Sequence, residues 1–308
     1  MTAQCTHRAT CKLRSLHDDL DISIITVAPD SDPKAVVQIA HGLCGCKERF
    51  IPFMEYMASH GIACVANDHR GHGESIKSPD DLGYMYSGGY LALVDDLKMV
   101  NAWAHEQFPN KPLYLLGHSM GSMASRVLVK QDDSTIDGLI LCGSPSWNPM
   151  AWVGYILASV VCGIGLSHSR MKWTQRMTSN KNNRKFASEG YQAWVCSDPE
   201  EREKAKADPR CNFYLTANGS RNLLALTIDT YRKGPWAVKN PHMSIHFISG
   251  DADPMIINEK RFHTSVQNLC DRGYSNVTSA LYPGMRHEVL NEIGKEEVWK
   301  EILLKCLS

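Results

Sequence analysis

The stretch Pro112-Leu-Tyr-Leu-Leu-Gly-His-Ser-Met-Gly121 constrains the fold of this chain more than any other. Leu113 to Leu116 is a short apolar run that predicts a buried strand, and Gly117-His-Ser119-Met-Gly121 follows at once. Ser122 to Lys130 then carries apolar residues at helical spacing. Strand, G-x-S-x-G and helix in immediate succession is the context of a nucleophile elbow. Such a turn must be very tight, and Gly117 and Gly121 lack the Cβ that would clash as the backbone folds back. Ser119 is then held strained at the tip with its hydroxyl exposed. The free N–H groups at the start of the helix point at the same spot.

The rest of the chain keeps the same rhythm. Strands are expected at 21–27, 35–40, 62–66, 113–116, 138–142, 244–249 and 277–282. Helices are expected at 49–60, closed by Gly61, at 90–107, stopped by Pro109, at 122–130 and at 296–306. Residues 1–15 read as a loose leader and 76–89 as a loop. Alternating strand and helix implies an α/β fold, a mostly parallel central sheet with helices on both faces. The rhythm breaks after the strand at 138–142. Residues 144–240 carry helix-like pieces and no good strand, so they read as a helical cap inserted into a core of residues 1–143 and 241–308. Within the insertion, Met150 to Leu166 has no charged residue and approaches the length of a membrane span. Its three glycines and its place in an otherwise globular pattern favour a helix buried over, or lining, an apolar cavity. A transient membrane-surface contact through the cap is the alternative.

Charge and cysteine usage narrow the classes. Lys+Arg and Asp+Glu are 33 each, so nothing electrostatic favours nucleic acid or an anionic membrane. The 43% hydrophobic content over 308 residues is enough for a sizeable core without staples. There are 11 cysteines, an odd number, with no C-x-x-C pair. Cys64 and Cys142 fall in expected core strands, where Cys is a small apolar residue. Cys44-Gly-Cys46 is the only close pair, and no zinc-like spacing accompanies it to support a metal or redox role. The N-terminus, Met1 to Arg8, has no apolar signal-peptide core, and many free cysteines fit a reducing cytoplasm.

A serine hydroxyl is a poor nucleophile and needs a base, which in turn needs an orienting acid. Two late segments supply them. Ser249-Gly-Asp-Ala-Asp-Pro254 and Tyr282-Pro-Gly-Met-Arg-His-Glu288 each leave a strand at the carboxyl edge of the sheet, where the elbow also sits. His287 is the expected base. The acid is Asp251 or Asp253, with Asp253 favoured because Pro254 keeps it out of helix and sets the loop direction. His118 is fixed beside the elbow and cannot easily also reach Ser119 as base. An oxyanion needs two donors. These are expected from the N–H of Met120, just after the nucleophile, and the N–H of Leu43, in the loop His41-Gly42-Leu43 after strand 35–40. Asp68-His-Arg-Gly-His-Gly-Glu-Ser75 lacks the Lys-Ser/Thr of a phosphate loop, so Asp68 and Arg70 are expected to brace the floor beside the elbow.

Taken together, His41-Gly42, Asp68 to Ser75, Gly117-His118-Ser119-Met120-Gly121, Gly250-Asp-Ala-Asp253 and Gly284-Met-Arg-His287-Glu resemble the monoacylglycerol lipase and lysophospholipase group of α/β hydrolases, whose relatives include serine aminopeptidases. Trp194-Val-Cys-Ser-Asp-Pro199 and Ala207-Asp-Pro-Arg-Cys-Asn-Phe213 are similar to the cap pattern of its bacterial members. The chain departs from the lipase pattern at Leu43-Cys-Gly-Cys46, where an acidic residue and a His are common. The resemblance implies an α/β-hydrolase fold and a serine ester hydrolase working through an acyl-enzyme, with Ser119, His287 and Asp253 as triad. It implies a monoacylglycerol- or lysophospholipid-type substrate, a small-molecule ester rather than nucleic acid, and no metal or organic cofactor. An arylesterase or a serine aminopeptidase of the same fold is the alternative. The peptidase would need a carboxylate near the cap, for which Glu189, Glu200, Glu201 and Glu203 are available. A non-catalytic binding protein of this fold would be expected to lack a triad member, and a haloalkane-type enzyme would carry Asp at position 119.

Overall fold

The computed structural model describes residues 6–307, so the first five residues of the expected leader and Ser308 lie outside the described residues. The core strands are β1 (Thr6–Arg14), β2 (Asp21–Pro29), β3 (Ala35–Ala40), β4 (Ile62–Asn67), β5 (Leu113–His118), β6 (Gly138–Cys142), β7 (Ser244–Gly250) and β8 (Val277–Tyr282). They form one sheet in the order β1-β2-β4-β3-β5-β6-β7-β8. β2 runs against its neighbours, and every pairing from β4 to β8 is parallel. β3, β4 and β6 are buried throughout, which is why they read as continuous apolar runs.

Helices cover both faces. α2 (Gly89–Gln107), α3 (Met120–Gln131) and α8 (Glu259–Cys270) pack on one, with Leu93, Leu97, Val127, Leu128 and Phe262 against Val36, Leu115, Leu139 and Phe247. α1 (Ile51–Ser59) and α9 (Lys295–Leu307) pack on the other, with Phe53, Met57, Trp299 and Ile302 against Val37, Ile39, Leu116 and Ile140. Successive residues of one strand thus feed opposite cores, as the period-2 pleat requires. Between β6 and β7 lie α4 (Met150–Gly163), α5 (Lys172–Asn183), α6 (Pro199–Ala207) and α7 (Ala217–Tyr231), in the segment expected as the cap.

Two expectations fail. Residues 6–14 of the leader form β1, paired with β2 along its whole length from Thr6 opposite Pro29 to Arg14 opposite Asp21. β1 is an edge strand exposed on most of its length, so it carries no apolar alternation to read, and its main-chain ladder holds it. Arg8, Lys12 and Arg14 give the edge the charge that discourages further pairing. The uncharged run 150–166 is not buried. Only Ala151 and Ala158 of α4 are buried, while Ile156 is 59% and Ile164 68% exposed. α4 lies on α7 along one narrow stripe, with Gly154 against Leu224, and one stripe cannot cover a helix that is apolar all round. No helix among the described residues is long and apolar enough to cross a membrane.

Candidate active site

Parallel pairing brings the loops together. Ala40 pairs with Gly117, His118 with Cys142, and Gly250 with Tyr282, so the loops after β3, β5, β7 and β8 leave one edge of the sheet. Ser119 stands between β5 and α3 at φ 51° and ψ −113°, a left-handed conformation costly for a residue with a Cβ. Close packing holds it there. A Cβ on Gly121 would lie 2.0 Å from the Ala40 carbonyl oxygen, and one on Gly117 would lie 2.7 Å from that of Gly121. The Ser119 N–H is fixed by the Cys142 carbonyl at 2.9 Å.

Ser119 Oγ lies 2.8 Å from His287 Nε2, and His287 Nδ1 lies 2.9 Å from Asp253 Oδ2. Asp253 caps the short 3-10 turn Pro254–Ile256, its Oδ1 accepting the Met255 N–H at 2.8 Å and its Oδ2 the Ser249 hydroxyl at 3.1 Å. Asp251 is turned away and accepts the Gly284 N–H at 2.8 Å. The structure therefore brings Asp253, not Asp251, to the imidazole. Burial disfavours the charged imidazole, but Asp253, with Glu288 further off, outweighs it and holds the His287 pKa above the ordinary value. His118 ends β5, and its ring centroid is 5.0 Å from that of His287. Its Nε2–H donates to the His287 carbonyl at 3.2 Å, and burial, reinforced by the nearby His287, pushes its pKa down to about 4. It is neutral and spent on the backbone.

The His41-Gly42-Leu43 loop lies beside the serine. A Cβ on Gly42 would come within 3.2 Å of Ser119 Cβ and 2.7 Å of His118 Nδ1. His41 Nε2 accepts the His69 N–H at 2.9 Å, so its proton is on Nδ1, which donates to the Gly42 carbonyl at 2.7 Å. The Gly45 N–H donates to the same oxygen at 3.2 Å. Leu43 N–H belongs to that same peptide unit and points the opposite way, away from both donors. Met120 opens α3, so its N–H lies ahead of the helical ladder. Four residues beyond Leu43, Lys47 is anchored on Asp68 through its N–H and its Nζ, each at 2.8 Å. Arg70 is fully buried against Asp96 and Asp18. Both thus brace the loop and its floor from within.

Several contacts were not legible beforehand. Cap residue Trp194 lies over the His287 ring, centroids 5.3 Å apart at 36°. Val195 O accepts the Glu288 N–H at 2.8 Å, and Arg286, beside the imidazole, reaches the cap residue Glu189 through two bonds of 2.7 and 2.8 Å. Arg49 grips Glu288 in a bidentate pair. These partners are 90 or more residues apart in the chain, and no local pattern announces them. Together the cap contacts roof the site, leaving Ser119 9% and His287 5% exposed.

Comparison with known proteins agrees with this geometry. Residues 31–294 match the family described as serine aminopeptidase, S33. The chain is 27% identical over 267 residues to a monoacylglycerol lipase of Mycolicibacterium smegmatis, covering 86% of this chain and 85% of that one. Among solved structures it is similar to a thermostable carboxyl esterase from Bacillus coagulans in complex with glycerol. That likeness has a TM-score of 0.86 and 23% identity over 96% of this chain and 97% of the other. It is also similar to a soluble variant of the Saccharomyces cerevisiae monoglyceride lipase bound to a substrate analogue. There the TM-score is 0.73 and the identity 16%, over 99% and 98% of the two chains. The structural likenesses carry the α/β-hydrolase fold.

Proposed function

The chain belongs to the S33 serine aminopeptidase family and is a serine hydrolase, and from that premise we propose that it cleaves monoacylglycerol- or lysophospholipid-type lipid esters through an acyl-enzyme. The observation that carries the reading is the hydrogen-bonded series Ser119 Oγ, His287 Nε2, His287 Nδ1, Asp253 Oδ2 at 2.8 and 2.9 Å, with Ser119 at positive φ. Ser119 Oγ attacks the ester carbonyl while His287 Nε2 takes its proton. Asp253 keeps the Nδ1 proton in place and stabilises the imidazolium. The N–H groups of Met120 and Leu43 receive the oxyanion. His287 then gives its proton to the leaving alkoxide, and the acyl group stays on Ser119. Water repeats the sequence through the same base and frees the acid. Every proton starts and ends on these side chains or on the reactants.

The ester reading is favoured over the aminopeptidase reading by the state of the cap carboxylates. Glu189 is already neutralised by Arg286. Glu201 and Glu203 pair with Lys204 and Lys206, and Glu200 is exposed in the first turn of α6. At Glu189, Glu201 and Glu203 a substrate ammonium would have to displace those partners. The lipid reading is supported by the uncharged exposed face of α4, which offers a transient contact with a lipid surface. All ten cysteines among the described residues are free, which supports a reducing, cytoplasmic setting.

The test is a panel of nitrophenyl esters and glycerol monoesters of increasing acyl length, with an aminoacyl amide beside them, assayed on wild type and Ser119→Ala. Hydrolysis of glycerol monoesters abolished by Ser119→Ala is expected. Activity that survives the substitution overturns the mechanism, and activity on the amide alone overturns the ester reading.

A further inference from the structure

The acyl chemistry uses neither sulfur of Cys44-Gly-Cys46, yet the fold gives Cys46 a partner. Cys46 lies three residues beyond Leu43, at the boundary of the 3-10 turn Lys47–Phe50 that follows the oxyanion loop. Its Sγ is 3.7 Å from Sγ of Cys211, which lies between α6 and α7 in the cap. Cys46 is fully buried and Cys211 is 8% exposed. Core and cap therefore meet sulfur to sulfur within a few residues of an oxyanion donor.

The surroundings polarise the pair. The hydrogen bond with Cys46 holds the Cys211 thiol below its ordinary pKa; burial, Asp208 and Glu288 oppose this, and the Arg49 guanidinium assists. The same hydrogen bond and burial push Cys46 up, helped by Glu48 and Asp68. Arg210 also faces Cys46. Cys211 is thus the more readily ionised sulfur and Cys46 the one that holds its proton, the division of labour of an attacking and a resolving thiol. Asp208 comes within 4.8 Å of both sulfurs, a third ligand for a metal in principle. Its carboxylate is already forked by Arg210 at 2.8 to 3.2 Å, and a divalent cation there would face two guanidiniums. The positive field suits a thiolate better than a metal.

We propose that Cys46 and Cys211 are a redox-active dithiol site that takes hydrogen peroxide as its oxidant and closes to a disulfide fastening the cap to the oxyanion loop. The Cys211 thiolate attacks one peroxide oxygen. An S–O bond forms, the O–O bond breaks, and hydroxide leaves to be protonated to water. Cys46 sulfur then attacks the Cys211 sulfenic sulfur, the S–O bond breaks, and a second water leaves with the Cys46 proton. Two thiols lose two electrons, and the peroxide is reduced to two waters. The sulfurs need only close from 3.7 Å to the ~2.05 Å of a disulfide. Because Ser119 is roofed in the present arrangement, an acyl chain enters when the cap moves, and a cap bonded at Cys211 to the loop of Leu43 resists that motion.

The experiment treats wild type, Cys46→Ser and Cys211→Ser with hydrogen peroxide, blocks free thiols by alkylation, and maps peptides without reduction. A peptide pair joining Cys46 to Cys211 is expected in wild type, absent in both variants and released by dithiothreitol. In parallel, monoester hydrolysis by oxidised wild type should fall about tenfold and recover on reduction, while the variants keep their activity under peroxide. Absence of the joined peptides, or equal peroxide inactivation of Cys46→Ser, overturns the proposal, and a disulfide that leaves hydrolysis unchanged overturns the fastening. The activity arm rests on the ester reading, whereas peptide mapping needs no substrate, so failure of one is distinguishable from failure of the other.

Discussion

Replacing Asp253 by Asn keeps the shape of the site and should remove nearly all of its activity, for a reason the hydrogen bonds spell out. Asp253 Oδ1 accepts the Met255 N–H at 2.8 Å, and that partly buried donor needs an acceptor. The Asn carbonyl oxygen must therefore stay on Met255, which leaves the NH₂ group facing His287 Nδ1 and Ser249 Oγ. The Ser249 hydroxyl can turn to accept, but His287 Nδ1 must also become an acceptor. The imidazole proton then moves to Nε2, the atom that has to take the Ser119 proton across 2.8 Å. The expected loss is about 10⁴-fold in kcat, roughly 5.4 kcal/mol of transition-state stabilisation. KM should change little, because Asp253 is 3% exposed behind His287 and lies away from the substrate. Asp251→Asn is the control: its amide oxygen can still accept the Gly284 N–H, so activity should stay within a few-fold of wild type. Steady-state kinetics on a short nitrophenyl ester, with the thermal midpoint of each variant, measures both. An Asp253→Asn enzyme within about tenfold of wild type, or a larger loss in Asp251→Asn, refutes the tautomer argument.

The raised His287 pKa places the acid limb of kcat/KM above the ordinary imidazole value of about 6.5, activity falling as pH drops, because the base must be neutral to accept the Ser119 proton. The same shift makes the imidazolium–Asp253 contact a stabilising term that is full below about 6.5 and lost as pH rises through the raised folded value; a limb at or below 6.5 contradicts the Asp253 contact. Gly121→Ala puts a methyl group 2.0 Å from the Ala40 carbonyl oxygen, so β3 and α3 must separate, costing about 1–3 kcal/mol of stability, seen as a lower thermal midpoint, and reducing kcat. An unchanged midpoint with full activity would show that the elbow has slack. Ile156→Asp should leave the thermal midpoint unchanged, since the side chain is 59% exposed, and should abolish co-sedimentation with neutral lipid vesicles if α4 is the lipid-facing surface; wild type that does not sediment removes that reading.

Much of the site could be read from residue order because it is built from local rules. The strand, the two glycines around Ser119 and the start of α3 fall within about twenty consecutive residues, so the elbow is legible locally, although Ala40 of β3 and the Cys142 carbonyl of β6 hold its torsions in place. That His287 and an aspartate follow strands, and that strand ends of a parallel sheet share an edge, places the three loops together before any side chain is located. Between the two aspartates the sequence favoured Asp253 through Pro254 without excluding Asp251, and the folded chain brings Asp253 to the imidazole. Asp253 faces His287 because it caps the turn at Pro254, a matter of where β7 ends relative to β8.

Where burial pattern is the signal, the tertiary structure decided. β1 is exposed on most of its length and has no periodicity to betray it; only the edge of β2 makes it a strand. The uncharged run 150–166 is apolar on every face, so sequence could not say which face is covered, and α7 covers one stripe. Trp194 over His287, Glu189 on Arg286 and the Cys46–Cys211 contact join positions 93 to 165 residues apart. Hydrophobic period and turn chemistry act over a few residues. The meeting of the cap with the catalytic edge depends on how separately formed elements pack, and only the folded chain determines it.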